Sequence, residues 1–321
     1  MLCWKDVTNK FIFAAILCEM EIKHLKHNKI DIQKWDACIF NATNSLVYAE
    51  SWYLNIVSPN WEALVLKDYE YVMPLPVKKK YGFPFLIQPT LTQQLGVFSS
   101  RKIDVEVLES FIKKIPYRSV HLNFNEQNPC NKGMKQPNYV LNLNQNYDML
   151  YANYSKNTKR NIKKAKQVNV CVTADLKPKQ FLDFYFSNIN NNAKPNENLT
   201  TNLINACCDK KKFRLYAAYS AEKEVISALG LLESKERLIY LLAASNEAGI
   251  ECSAMSLIVD NVIQDFAKTN TVLDFEGSKL EGIARFYTGF GATPATYFQI
   301  RKHSILQFMT LLKKINANKI L

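Results

Sequence analysis

A mixed α/β fold is what the chain predicts, on three features of its hydrophobic pattern. Helix-like and strand-like periodicities alternate along most of its length, three strands run consecutively between residues 213 and 244, and a long amphipathic segment then leads to another strand. Strands joined by tight turns must run antiparallel, while strands flanking a long helix can run parallel, so the sheet is mixed, in the α+β manner. The length of 321 residues points to two domains. Apolar residues at 48% and charged residues at 22% describe a chain with a packed core rather than a disordered one. Only nine glycines are present, which disfavours collagen-like, glycine-linker and glycine-patterned β architectures.

Phe11 to Cys18 is a short apolar run behind Lys5 and Lys10, in the manner of a secretory signal. Glu19, Glu21 and Lys23 follow directly, without a small-residue cleavage pattern. The run is also far shorter than the roughly 20 residues that span a bilayer. Either Met20 is the natural start and residues 1 to 19 come from an over-extended reading frame, or the run is an added helix. Neither reading makes the chain secreted or inserts it in a membrane.

From 30 to 145, Ile32, Trp35, Ile39 and Phe40 form one helical stripe, and Leu46 to Val57 reads as a second helix. Trp61 to Leu66 and Tyr71 to Val77 form a hairpin about Lys67-Asp68, with Pro74 and Pro76 pushing the second arm to an edge. Phe83 to Ile87 is a strand, 104 to 114 a helix, 118 to 124 a strand and 125 to 138 a loop. Tyr139 to Leu143 is a strand closing the first half. In the second half, Tyr147 to Lys166 reads as one helix, 168 to 173 as a strand, and 178 to 191 and 198 to 209 as helices. Strands at 213 to 219, 224 to 233 and 237 to 244 precede a helix from Ser253 to Lys268. Strand 271 to 275, a helix from about 279 to 289, strand 296 to 302 and a terminal helix complete the order. Ile305, Phe308, Met309, Leu312 and Ile315 give that last helix one apolar face, suited to docking on the first domain or to a dimer contact.

The net charge of +12 suits anionic partners without demanding one. The eight cysteines show no C-x-x-C spacing, and Cys207 beside Cys208 is a poor bridging pair, so reduced thiols and a cytoplasmic location are expected. His24, His27, His121 and His303 form no ligand set, and no metal is expected.

Two segments carry a family resemblance. Tyr151 to Ala165, reading YANYSKNTKRNIKKA, resembles the helix that opens the second domain of Fem-type peptidoglycan aminoacyltransferases and their GNAT-like relatives. Leu273 to Ser278 (LDFEGS) and Ile283 to Ala292 (IARFYTGFGA) resemble the D-F-x-G and F-x-x-x-F-G segments of those families. With the element order, the likeness covers roughly residues 139 to 302. In the first half only Gln88 to Gly96 adds to it. The resemblance implies tandem GNAT-like domains of the acyl-CoA N-acyltransferase fold, at 1–145 and 146–321, with a transferase site between them.

On the helical wheel Lys156, Lys159, Arg160, Lys163, Lys164 and Lys166 share one arc, opposite Tyr151, Tyr154, Thr158, Ile162 and Ala165. That arc is either a solvated face or a phosphate-binding surface for coenzyme A, a nucleotide-linked acceptor or a tRNA, with Lys159, Arg160 and Lys163 as its binding residues. In acyl-CoA-dependent relatives a Gln/Arg-x-x-Gly-x-Gly/Ala turn before the long helix holds the pyrophosphate. The corresponding stretch here, Ala244 to Ala254, has one glycine and two carboxylates, which places coenzyme A in doubt. Gly249, Ser253 and Ala254 are its candidate donor contacts, and Ser253 is expected to cap the helix.

Amine acylation needs a deprotonated amine, a polarised carbonyl and a protonated leaving group. Asp274, Glu276 and Ser278 end a strand, where they can face a cleft. Alternation puts Asp274 and Glu276 on the side opposite Phe275. Glu276 is a proton acceptor or a carboxylate capping the next helix, and Asp274 a second acid or the holder of the turn. The resemblance places Tyr287 where GNAT enzymes carry a tyrosine that protonates the departing thiolate; it is otherwise a packed ring beside Phe286 and Phe290. Gly277 and Gly282 permit close approach to substrate, and Gly289 and Gly291 close the helix. Gln93, Gln94, Gly277, Ser278 and Arg285 are the expected contacts to the acceptor, a small-molecule or peptide amine.

The leading expectation is thus an N-acyltransferase moving an acyl group from a thioester, with acyl-CoA as the expected donor, to an amine. The alternatives are aminoacyl transfer from tRNA to a peptidoglycan precursor and a catalytically silent binding module. Monomer and homodimer are both open.

Overall fold

The computed structural model describes residues 21–130, 132–190, 194–277 and 279–302. The apolar run from Phe11 to Cys18, the two readings of residues 1 to 19, Ser278 and the terminal helix about Phe308 lie outside the described residues. Strands and helices of the first half are β1 (Ile22–Leu25), α1 (Ile32–Asn41), α2 (Ser51–Val57), β2 (Glu62–Leu66), β3 (Tyr71–Leu75), β4 (Val77–Lys80), β5 (Phe83–Ile87), β6 (Phe98–Ser99), α3 (Val105–Lys114), β7 (Val120–Phe124), β8 (Met134–Gln136) and β9 (Tyr139–Asn142). The second half adds α4 (Tyr147–Ala152), α5 (Lys156–Gln167), β10 (Cys171–Thr173), α6 (Pro178–Asn188), α7 (Glu197–Asp209), β11 (Phe213–Tyr219), β12 (Val225–Ser234), β13 (Arg237–Ser245), α8 (Glu247–Glu251), α9 (Ala254–Phe266), β14 (Val272–Asp274), α10 (Glu281–Thr288), β15 (Thr293–Pro294) and β16 (Tyr297–Lys302).

Two expected helices are broken by local hydrogen bonding. Leu46 to Val57 divides at Glu50, whose backbone is extended, because the Asp36 carboxylate accepts from both the N–H and the hydroxyl of Ser51 and so starts α2 afresh. Tyr147 to Lys166 divides at Asn153, and Ser155 caps α5 by accepting from the Thr158 N–H at 3.1 Å. Thr158, Ile162 and Ala165 are the buried face of α5, as the wheel requires, and the lysines lie outward.

Three sheets form, in the orders β1-β2-β3-β6, β4-β5-β7-β16-β8 and β10-β11-β12-β13-β14-β9-β15. The strand read as closing the first half, β9, pairs with β14 and β15 in the sheet of the second half. In return β16 pairs with β7 and β8. The halves therefore exchange strands. In the seven-stranded sheet every pairing is antiparallel except that of β13 with β14. The interior strand β12 is buried on both faces, which explains its largely apolar run.

One face of this sheet is covered by α4, α5, α9 and α10, and Ile258, Val259, Val262 and Ile263 of α9 are fully buried there. Each such aliphatic side chain contributes about 1.5–3 kcal/mol on leaving water. The opposite face shares a core with the first half, where Trp35, Tyr48, Tyr53 and Trp61 join Phe181, Leu203 and Leu215.

Candidate active site

The parallel pair β13/β14 is short. It holds from Arg237 against Val272 to Ile239 against Asp274 and then opens. Its opening has a structural cause. Beyond Asp274 the chain is drawn toward the start of β9: the Phe275 N–H donates to the Tyr139 carbonyl at 2.9 Å, and the Gly277 N–H to Asn138 Oδ1 at 2.9 Å. Gly277 packs so closely on Pro137 that a Cβ there would lie 1.8 Å from its carbonyl oxygen. On the other side β13 carries a bulge opposite Gly230 and Leu231, which bends it away. The result is a cavity of about 580 Å³ lined by Tyr240 to Ala243, Met255, Phe275, Glu276, Gly277, Phe286 and Tyr287, with Tyr185 of α6 contributing.

Glu276 is the acidic residue of this wall. It lies past the end of β14 in a left-handed conformation (φ 55°), so strand alternation fails and both Phe275 and Glu276 line the cavity. Its carboxylate accepts a hydrogen bond from the Tyr48 hydroxyl of the first half. It caps no helix: the residue preceding α10 is Leu280, without a side-chain cap bond. Burial, reinforced by the charge of Asp274, pushes the Glu276 carboxyl up to about 8 against the opposing bond from Tyr48.

Tyr287 is 9% exposed and lines the same cavity. Its ring stacks on Phe275 at 4.7 Å between centroids and meets Tyr240 edge-on at 5.8 Å. Its hydroxyl has no hydrogen-bond partner among the described residues. Burial, with Glu276 and Asp274 adding to it, raises the phenol well above its ordinary value and keeps it protonated.

Of the two readings of Asp274, the geometry fits the holder of the turn and not the second acid. Asp274 is buried and bound by Arg237, and its Oδ1 accepts from the Glu276 N–H at 2.9 Å, so it holds the turn rather than facing the cavity. Arg237 also binds Glu126 of the first half. Of the other expected contacts, Gln93, Gln94 and Arg285 lie outside the cavity lining. Gln94 is buried and accepts from the Glu126 N–H at 2.8 Å, then donates to Gln93, which donates to Asn138 at 3.4 Å. These amides brace the Gly277 turn from behind. Gly277 and Gly282 both line the cavity; a Cβ on Gly277 would lie 1.8 Å from the Pro137 carbonyl oxygen, whereas one on Gly282 would meet nothing within 4 Å. Arg285 is exposed and paired with Glu281 at 2.6 Å, because its position on α10 points outward.

In the donor loop, Gly249 lies in α8, where a Cβ would come within 2.0 Å of the Ile226 carbonyl oxygen; packing on β12 explains it. Ser253 occupies the N-cap position of α9 but makes no side-chain cap bond, since its left-handed backbone (φ 62°) is not the extended one that capping requires. Ala254 is buried, while Met255 lines the cavity. Lys159, Arg160 and Lys163 do not line it: Lys159 donates to the Ala152 carbonyl at 3.1 Å, Arg160 to Asn157 at 2.6 Å, and Lys163 is exposed.

Tyr48, Glu126, Tyr185, Arg237 and Tyr240 were not picked out by the sequence. None carried a local signal, since each meets its partner through long-range packing or pairing. Among the described residues no cluster of three or more His, Cys, Asp or Glu side chains is placed to hold a metal ion, and no helix is long and apolar enough to cross a membrane.

Neither a protein-family model nor a curated sequence matches the chain. Solved structures do. FemX superposes with a TM-score of 0.62 at 10% identity, over 86% of this chain and 96% of its own. The C-terminal domain of a candidate lysylphosphatidylglycerol synthetase from Agrobacterium fabrum superposes with a TM-score of 0.54 at 7% identity, over 88% of this chain and 95% of its own. A Bacteroides thetaiotaomicron protein of unknown function gives 0.51 at 9% identity, over 88% and 100%. The chain thus shares the fold of FemX, a mixed α/β fold of the kind its element order and its two Fem-like segments led one to expect.

Proposed function

We propose that the chain is an N-acyltransferase that moves an acyl group from a thioester, acyl-CoA being the donor that fits best, to the nitrogen of a small-molecule or peptide amine. One observation carries this reading: a carboxyl with an ionisation near 8 and a neutral phenol, Glu276 and Tyr287, share the wall of one opening between two parallel strands. Amide formation moves two protons. The amine loses one as its nitrogen attacks the carbonyl carbon and the C–N bond forms; Glu276 as carboxylate accepts it. The sulfur gains one as the C–S bond breaks, and Tyr287 donates it.

Two further features fit a coenzyme A donor. Between Tyr240 and Ala243 the edge of β13 has no partner on its β14 side among the described residues, and an extended arm bearing amides can pair with that edge as an added strand. The glycine-rich phosphate turn is missing from the sequence, yet Ser253 adopts the left-handed conformation that a glycine would supply. It leads into the 13-residue α9, whose first-turn N–H groups and dipole favour an anion. Titration calorimetry with acetyl-CoA and longer acyl-CoAs tests the donor. Micromolar to sub-millimolar binding, with thiol release on adding amines, supports the reading; no binding at millimolar ligand contradicts it.

The outward lysines of α5 favour a second reading, aminoacyl transfer from tRNA. It requires tRNA binding that strengthens as salt is lowered, and fails without it.

A further inference from the structure

We propose that the β4–β5 hairpin is a docking surface for a bilayer that carries anionic lipid. The hairpin lies at the edge of its sheet, with β4 outermost. Its register places Lys80 opposite Phe83 and Lys78 opposite Phe85. Directly opposed residues of an antiparallel pair share a face, so these four alternate basic and aromatic side chains on one side. Val77 and Leu86, opposed on the other face, turn toward the core. Tyr81 sits at the tip, 69% exposed, and Phe83 beside it is 58% exposed.

Charge complementarity decides the partner's sign. Lys78, Lys79 and Lys80 are consecutive and exposed, none of them is held in an ion pair among the described residues, and no Asp or Glu occurs between Val77 and Ile103. The Lys80 ammonium lies 5.6 Å from the Tyr81 ring centroid, so cation and ring form one unit. Shape decides the partner's class. Single-stranded nucleic acid is bound in basic grooves where bases stack, whereas Tyr81, Gly82, Phe83 and Pro84 at this tip are all exposed, with no groove wall against them among the described residues. An exposed aromatic tip leaves water most fully where the medium closes around it, as the headgroup region of a bilayer does, while lysines on the flanks reach lipid phosphates. The turn itself has Tyr81 and Gly82 both at positive φ, 52° and 81°. Asn-Gly suits that geometry better, so local backbone preference does not account for an aromatic residue at the tip.

The test is flotation of the full chain with phosphatidylcholine vesicles, with and without one third phosphatidylglycerol, in low and in high salt. Binding is expected only with the anionic vesicles and is expected to fall in high salt. At roughly 1 kcal/mol per lysine near such a surface, the triple variant Lys78→Ala, Lys79→Ala, Lys80→Ala is expected to bind about 100-fold more weakly with an unchanged melting temperature. Tyr81→Trp is expected to shift its emission to shorter wavelength when anionic vesicles are added. Vesicle binding that survives the triple variant, an unshifted Tyr81→Trp emission, or binding of single-stranded RNA without binding of vesicles would each overturn the proposal. None of these outcomes depends on acyl transfer.

Discussion

Glu276 and Tyr48 meet through one hydrogen bond that joins the two halves, and it bears on the pH at which the carboxyl ionises. The bond favours the charged form, so Tyr48→Phe is expected to move the rising limb of the pH–rate profile above about 8, with the carboxyl still present. A purely structural tyrosine would lower activity without moving the limb. Glu276→Gln is expected to reduce kcat by roughly 10²–10⁴. Its effect on stability has the opposite sign. An acid group raised in the folded state from 4.5 to about 8 costs stability increasingly as pH rises through that interval, because the unfolded chain ionises first. Removing it is therefore expected to raise the melting temperature at pH 9 and to leave it nearly unchanged at pH 4. Tyr287→Phe is expected to slow transfer from an alkyl thioester far more than from an aryl thioester, whose sulfur leaves without a proton. Equal slowing of both substrates counts against its role as the acid. At this scale the sequence pointed to Glu276 and Tyr287 through their flanking segments. Tyr48 had no such mark, since its partner lies 228 residues away.

Element boundaries explain why the local pattern misled at particular points. Alternation along 271 to 275 put Phe275 and Glu276 on opposite sides, but β14 ends at Asp274 and the following residues form a turn, so the rule had no strand to act on. Ser155 followed by Thr158 was a readable cap signal inside what looked like one helix, whereas the break at Glu50 depends on Asp36 and leaves no local trace. The Gly277 turn is the element on which the opening depends. Gly277→Ala forces its Cβ against Pro137, and a loss of about 1–3 kcal/mol in urea unfolding, together with lost acyl-donor binding, is expected. A stable variant with unaltered binding would mean that the opening does not need that close contact.

For the molecule as a whole, strand exchange and a shared core make the halves one cooperative object. Periodicity identified β9 and β16 as strands, but which sheet each would join was invisible to it, because pairing is a long-range property. Arg237 stands between Asp274 and Glu126, one from each half. Arg237→Ala leaves two carboxylates facing each other without their cation, and a cost of about 3–5 kcal/mol within a single calorimetric transition is expected. Two separate transitions would mean that the halves unfold independently.

The most direct measurement is a crystal structure of the chain with a non-transferable thioether analogue of acetyl-CoA. Its sulfur is expected between β13 and β14, within hydrogen-bond reach of the Tyr287 hydroxyl, with the acyl carbon facing Glu276. An analogue bound anywhere outside that opening, with Glu276 and Tyr287 untouched, would contradict the assignment of the opening as the place where acyl transfer occurs.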